Sequence, residues 1–106
     1  MDKKIEKEIK RLVNKIKKAK KIKKKYLFGS YAYGVPTKES DIDLCVLSDE
    51  KKRKIEILSE IREKIGFSYN HPLDIIVYNP KEFYQRADSK TSMESQILKK
   101  GVVVYE

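Results

Sequence analysis

The chain has 106 residues, with 25 Lys and Arg against 16 Asp and Glu, for a formal charge of +9. That length supports one hydrophobic core rather than two, so a single domain is expected. No apolar run reaches the length of a membrane span, the start reads as amphipathic rather than as a signal peptide, and a lone cysteine, Cys45, excludes an internal disulfide. A reducing, cytoplasmic setting is the expectation.

Much of the basic excess lies in the first 25 residues. Ile5, Ile9, Leu12, Val13, Ile16 and Ala19 recur at helical spacing there, which predicts a helix over about Lys3 to Lys20. Its lysines then form a solvated face. The other reading is a basic patch that steers a triphosphate, RNA or an acidic partner. Heavy use of Lys, Glu and Ile also matches thermophile composition, which would explain the charge without any partner.

Tyr26-Leu27-Phe28 predicts a first strand. Gly29-Ser30-Tyr31-Ala32-Tyr33-Gly34 follows, read as a turn into a short helix whose first N–H groups face phosphate. Pro36 to Glu39 is a loop. Asp41 to Leu47 predicts a second strand. Alternation places Asp41 and Asp43 on one face of it and Ile42, Leu44 and Val46 on the other. Cys45 within that strand reads as a small core residue. Asp49 to Ile65 predicts a helix with Ile55, Leu58, Ile61 and Ile65 inward and Gly66 at its end. Leu73 to Tyr78 predicts a third strand, with Asp74 at its start. Asn79-Pro80 reads as a cap and first-turn proline for a helix toward Arg86. The run Asp88 to Ser92 reads as the start of a last helix, ending at Gly101. Val102 to Tyr105 is the fourth strand. Strands alternating with helices predict an α/β or α+β sandwich.

The chemistry sits in the first two strands. Gly-Ser, nine residues, then Ser40-Asp41-Ile42-Asp43 combines a close backbone approach and a hydroxyl for phosphate with paired carboxylates. Mg²⁺ takes oxygen ligands and is usually held by one or two carboxylates plus substrate phosphates. Two ions need more than two acids, and Asp74 is the candidate third if its strand lies beside the Asp-x-Asp strand. Asp-x-Asp alone reads more readily as strand-start or turn residues bonded to local backbone. The pattern together favours nucleotide chemistry. His71 reads as a surface or hydrogen-bonded residue. Tyr31, Tyr33 and Tyr78 read as packing residues that have the chemistry to stack on a base.

Gly29-Ser30…Gly34…Ser40-Asp41-Ile42-Asp43-Leu44 resembles the signature of the polymerase-β-like nucleotidyltransferases. The small size, Asp74 and the closing strand resemble the minimal nucleotidyltransferases, often antitoxins paired with a HEPN-domain toxin. The resemblance implies a mixed sheet of about four strands flanked by helices, with residues 1–24 as a basic helix and 25–106 as the catalytic core. It implies that Asp41, Asp43 and Asp74 are catalytic metal ligands, and that Gly29, Ser30 and Ser40 hold the nucleotide. It implies ATP as substrate, two Mg²⁺ ions, and transfer of AMP to a tyrosine of the toxin. Many antitoxin members carry Arg immediately before the second Gly of the first block, where this chain has Tyr33. Two rival readings remain: a non-catalytic antitoxin acting by contact, and a transferase acting on RNA or a small molecule.

Overall fold

In a computed structural model, residues 3–17, 22–34, 41–66 and 73–105 are described. Their order is α1 (Lys3–Ile16), β1 (Ile22–Phe28), α2 (Ser30–Tyr33), β2 (Ile42–Ser48), α3 (Lys54–Ile65), β3 (Leu73–Tyr78), α4 (Pro80–Ala87), α5 (Met93–Lys100) and β4 (Val102–Tyr105). The strands form one sheet in the order β3-β2-β1-β4. β1 is antiparallel to β2 and to β4, whereas β2 and β3 are parallel and joined through α3. A parallel pair needs such a crossover, which makes the sheet mixed.

Alternation along the strands divides the core into two layers. Leu27, Ile42, Leu44, Val46, Ile75 and Val77 face α1 and α3, where Ile9, Leu12, Val13, Ile16, Ile57, Ile61 and Ile65 meet them. Tyr26, Phe28, Cys45, Leu47 and Tyr78 face the other way, onto Phe83 of α4 and Ile97 of α5. Cys45 is fully buried, and burial, then the charge of Glu94, pushes its thiol up to about 12. It is core, not a nucleophile. Glu94 is itself buried and accepts a hydrogen bond of 2.6 Å from the Tyr78 hydroxyl. Burial first, then that hydrogen bond, raises the Tyr78 phenol above its usual range.

Three differences from the sequence expectation have physical causes. β1 begins at Ile22, four residues before Tyr26, because ladder pairing with β2 carries the lysine segment into the sheet. α3 begins at Lys54 rather than Asp49. The Glu50 N–H instead donates to Ser48 Oγ at 3.3 Å, a local bond that competes with a helix start. The inward face of α3 is consequently Ile57, Ile61 and Ile65; Leu58 is half-buried and Ile55, in the first turn, is exposed. The last two helices start as expected. Asn79 Oδ1 accepts from the Lys81 N–H at 2.9 Å, and Ser92 Oγ accepts from the Ser95 N–H at 3.0 Å. Gly101 ends α5 where a Cβ would collide with the Ile97 carbonyl and crowd that of Leu27, so no side chain fits between helix and sheet.

α1 packs as its periodicity requires, with Ile9, Leu12, Val13 and Ile16 buried and Lys10 and Lys17 exposed. Its expected extension to Lys20, the Ile5 side chain, Ala19, Lys18 and Lys21 lie outside the described residues. The lysine run hides one exception to solvation. Lys25 shares the inward face of β1 with Leu27 and is fully buried. Burial, then repulsion from Lys17, lowers its pKa to about 8.

Two stability predictions follow from α1 and β1. Ile9→Asp loses apolar burial and buries a charge, so urea denaturation should show a loss of at least about 3 kcal/mol. Lys25 binds fewer protons folded than unfolded between about pH 8 and pH 10.5, so stability should rise with pH across that window. Lys25→Met should melt higher below pH 8 and show no such rise. Lys17→Glu, which replaces repulsion of Lys25 by attraction, should also melt higher, whereas Lys10→Glu should change little.

Candidate functional site

Register places the site. Phe28 on β1 pairs with Asp43 on β2, and Asp43 pairs with Asp74 on β3. One transverse line across three strands therefore carries two carboxylates side by side. Both belong to the α4–α5 side of the sheet, since Asp43 alternates with Ile42 and Leu44, and Asp74 with Ile75. Asp43 is half-buried and Asp74 exposed. Asp41 lies one residue ahead of β2 and is exposed.

The chain turns immediately after Phe28. Gly29 adopts φ +72°, a conformation that L side chains rarely adopt. A Cβ there would fall on Asp43 Oδ2. The glycine is thus needed twice, once for the left-handed turn and once so that its backbone can lie against the Asp43 carboxylate. α2 starts at the next residue, and the Ala32 N–H donates to the Gly29 carbonyl at 3.1 Å. Sequence reasoning assigned Gly29 to phosphate alone. Its contact with Asp43 is set by strand register, which no local motif spells out.

Electrostatics mark the same point. The Asp43 carboxyl is pushed up to about 6, first by burial, then by the charge of Asp74, then by that of Asp41. Repulsion of this kind is what a cation relieves. The donors are all carboxylate oxygens, which suits Mg²⁺ rather than a soft metal. Among the described residues, no three His, Cys, Asp or Glu side chains already close into a cage. A cation held by one or two carboxylates and completed by phosphate and water fits this arrangement. Asp43 and Asp74 are the pair that would hold it, with Asp41 adding charge alongside.

The remaining expected site residues divide plainly. Ser30 opens α2, but its side chain and that of Tyr33 lie outside the described residues, as do Ser40 and His71 entirely. Tyr31 is buried in the core layer of α1 and α3, and Tyr78 in the opposite layer. Neither offers an open ring to a base.

Residues 4–104 match the Nucleotidyltransferase domain family. The chain belongs to that family. It is a nucleotidyltransferase, and its carboxylates lie beside a glycine turn at the sheet end. A Methanocaldococcus jannaschii protein, MJ0604, whose name provisionally assigns it as a protein adenylyltransferase, is 33% identical over 102 residues, covering 94% of this chain and 97% of that one. The crystal structure of a mutant of the toxin–antitoxin MntA–HpeT has a TM-score of 0.53 at 20% identity, covering 94% of this chain and 71% of that one. A toxin–antitoxin crystal structure with AMP-PNP has a TM-score of 0.52 at 19% identity, covering 90% and 70%. At those identities the likeness is one of fold. No helix among the described residues is long and apolar enough to cross a membrane.

The metal-free protein gives the first test of the site. A carboxyl raised to about 6 binds more protons folded than unfolded, so stability should fall as pH rises from about 4 to about 6 and level off above. Asp43→Asn should remove that fall and melt higher than wild type above pH 6. Gly29→Ala should lose about 1–3 kcal/mol from the left-handed turn and the displaced carboxylate. Adding Asp43→Ala to it should restore only the part due to the collision, a non-additivity that a double-mutant cycle measures.

Proposed function

We propose that the protein transfers AMP from ATP to a tyrosine hydroxyl of a partner HEPN-domain toxin, and so acts as an antitoxin in the cytoplasm. The observation that carries this reading is the register pairing of Asp43 with Asp74 beside the Gly29 turn. The name of the M. jannaschii relative supports protein as the acceptor. The toxin–antitoxin neighbours, one with AMP-PNP, support the partner and the nucleotide.

In this reading the triphosphate lies against Gly29, Ser30 and Ser40. Asp43 and Asp74, with Asp41 alongside, would hold two Mg²⁺ ions, whose charge would neutralise the phosphates. Gly29 lets backbone N–H groups approach the phosphates, and α2 begins where they end. The acceptor oxygen bonds to the α-phosphorus, and the bond from that phosphorus to the oxygen of the departing pyrophosphate breaks. Asp74 is placed at the exposed end of the carboxylate pair, where it can accept the hydroxyl proton. Positioning and charge neutralisation supply most of the rate.

Labelled ATP, Mg²⁺ and the toxin provide the test. Substoichiometric protein should transfer label to toxin in many turnovers, with the label on tyrosine by mass spectrometry. Asp43→Asn and Asp74→Asn should each reduce the rate by at least about a hundredfold, since they remove charge aimed at the reacting phosphate. Neutralisation of the toxin without label transfer, at one-to-one ratio only, would show a contact antitoxin instead.

A further inference from the structure

A second polar constellation lies at the other end of the sheet. Lys24 of β1 pairs with Leu47 of β2, which pairs with Tyr78 of β3. From the Asp43 line this is four residues along β2, about 13 Å at the rise of a strand. A cavity of about 520 Å³ opens there, lined among others by Lys23, Lys24, Leu47, Pro80, Lys81 and Tyr84. None of Asp41, Asp43 and Asp74 lines it. Its volume is that of a small-ligand site.

The lining is cationic and partly flat. Three lysines stand against one acid, Asp49, and that acid lies 3.4 Å from Lys23. Tyr84 leaves 42% of its surface exposed, yet its ring is braced from beneath. It meets buried Phe83 edge-on at 5.4 Å between centroids, and Phe83 in turn stacks on buried Tyr26 at 5.8 Å. Lys24 Nζ sits 5.5 Å from the Tyr26 ring centre, against the same aromatic group. An exposed aromatic ring fixed in place, beside ammonium groups and the apolar walls of Leu47 and Pro80, matches a flat ring joined to an anion. That is the chemistry of a nucleotide unit: a base stacks on the ring and the phosphate meets the lysines.

We propose that this cavity is a second nucleotide-binding site, separate from the carboxylate site, that takes a base and its phosphate through Tyr84 and the lysines Lys24 and Lys81. The unit comes either from a free nucleotide or from a single RNA strand. Binding here needs no metal, because the protein supplies the cations.

The test uses the whole chain in EDTA, so that no metal-bridged binding at the carboxylates contributes. A fluorescent RNA about ten nucleotides long is the probe, read by anisotropy, with unlabelled AMP as competitor. Wild type should bind the RNA. Tyr84→Leu keeps an apolar contact with Phe83 but removes the ring, and should weaken binding about tenfold or more. Lys81→Glu should weaken it as much and reduce the salt dependence. Lys99→Glu, the same charge change on the exposed last turn of α5, should weaken it less than about threefold. Thermal melts check that each variant folds, and exposed Lys81 keeps the test decisive if Tyr84→Leu does not. Displacement by AMP at concentrations comparable to the RNA assigns the site to free nucleotide, and displacement only at about a hundredfold excess assigns it to a strand. No binding by wild type, an unchanged Tyr84→Leu, or equal losses in Lys81→Glu and Lys99→Glu would overturn the proposal.

Discussion

Everything at the site depends on the parallel pairing of β2 with β3. It sets Asp43 directly beside Asp74, where two negative charges meet with one of them half-buried. A one-residue slip of either strand would send its carboxylate to the opposite face, into the layer of Ile75 and Leu44. Register is therefore held by the apolar residues of both layers: Ile42, Leu44 and Val46 on one side, Cys45 and Leu47 on the other. A strand buried on both faces has no polar face to slip onto. The fold spends this rigidity on holding like charges together, and such an arrangement is stable only because the rest of the sheet over-determines it.

Gly29 shows how closely the turn and the acid depend on each other. The antiparallel pairing of β1 with β2 puts Phe28 opposite Asp43, so the next residue meets the carboxylate. Any side chain there would displace the Asp43 carboxylate from its position. The Gly-Ser block and the Asp-x-Asp block, ten residues apart in the chain, are thus one object in space. In the proposed function, phosphate and cation would therefore meet at the same few atoms' width of backbone.

Most of the fold was legible from local signals. Asn79-Pro80 and Ser92 announced their helices because a cap is a short-range hydrogen bond. Leu73 to Tyr78 announced its strand because an unbroken apolar run with β-branched residues has few alternatives. What was hidden depends on contacts distant in sequence. Lys25 looked like one more solvated lysine, and only pairing with both β2 and β4 draws its side chain inward. Ile55 looked inward because the helix was expected to begin at Asp49. The helix instead starts at Lys54 with Ile55 exposed in its first turn, and packing against the sheet selects the stripe of Ile57, Ile61 and Ile65. Glu94 and Tyr78 are sixteen residues apart, and nothing local marks them as a buried pair. At the site, the three acids and the glycine were legible by type and spacing. Their adjacency was conditional on β3 lying next to β2, which is a property of the sheet and not of any motif.

The sheet also separates charge. Its one end holds carboxylates that repel one another, and its other end holds Lys23, Lys24 and Lys81 around an open cavity. With a net charge of +9, the molecule as a whole attracts polyanions. That attraction brings a triphosphate or a nucleic acid near from any direction. It does not choose the end. Selection between the ends then rests on short-range chemistry. In the proposed function a divalent ion would make the acid end competent for phosphate, because it would reverse the local sign. The basic end binds phosphate directly and gains from a ring that stacks. Metal concentration would therefore shift nucleotide between the two ends without any change in fold, since each end is built on strands whose positions are already fixed by the core.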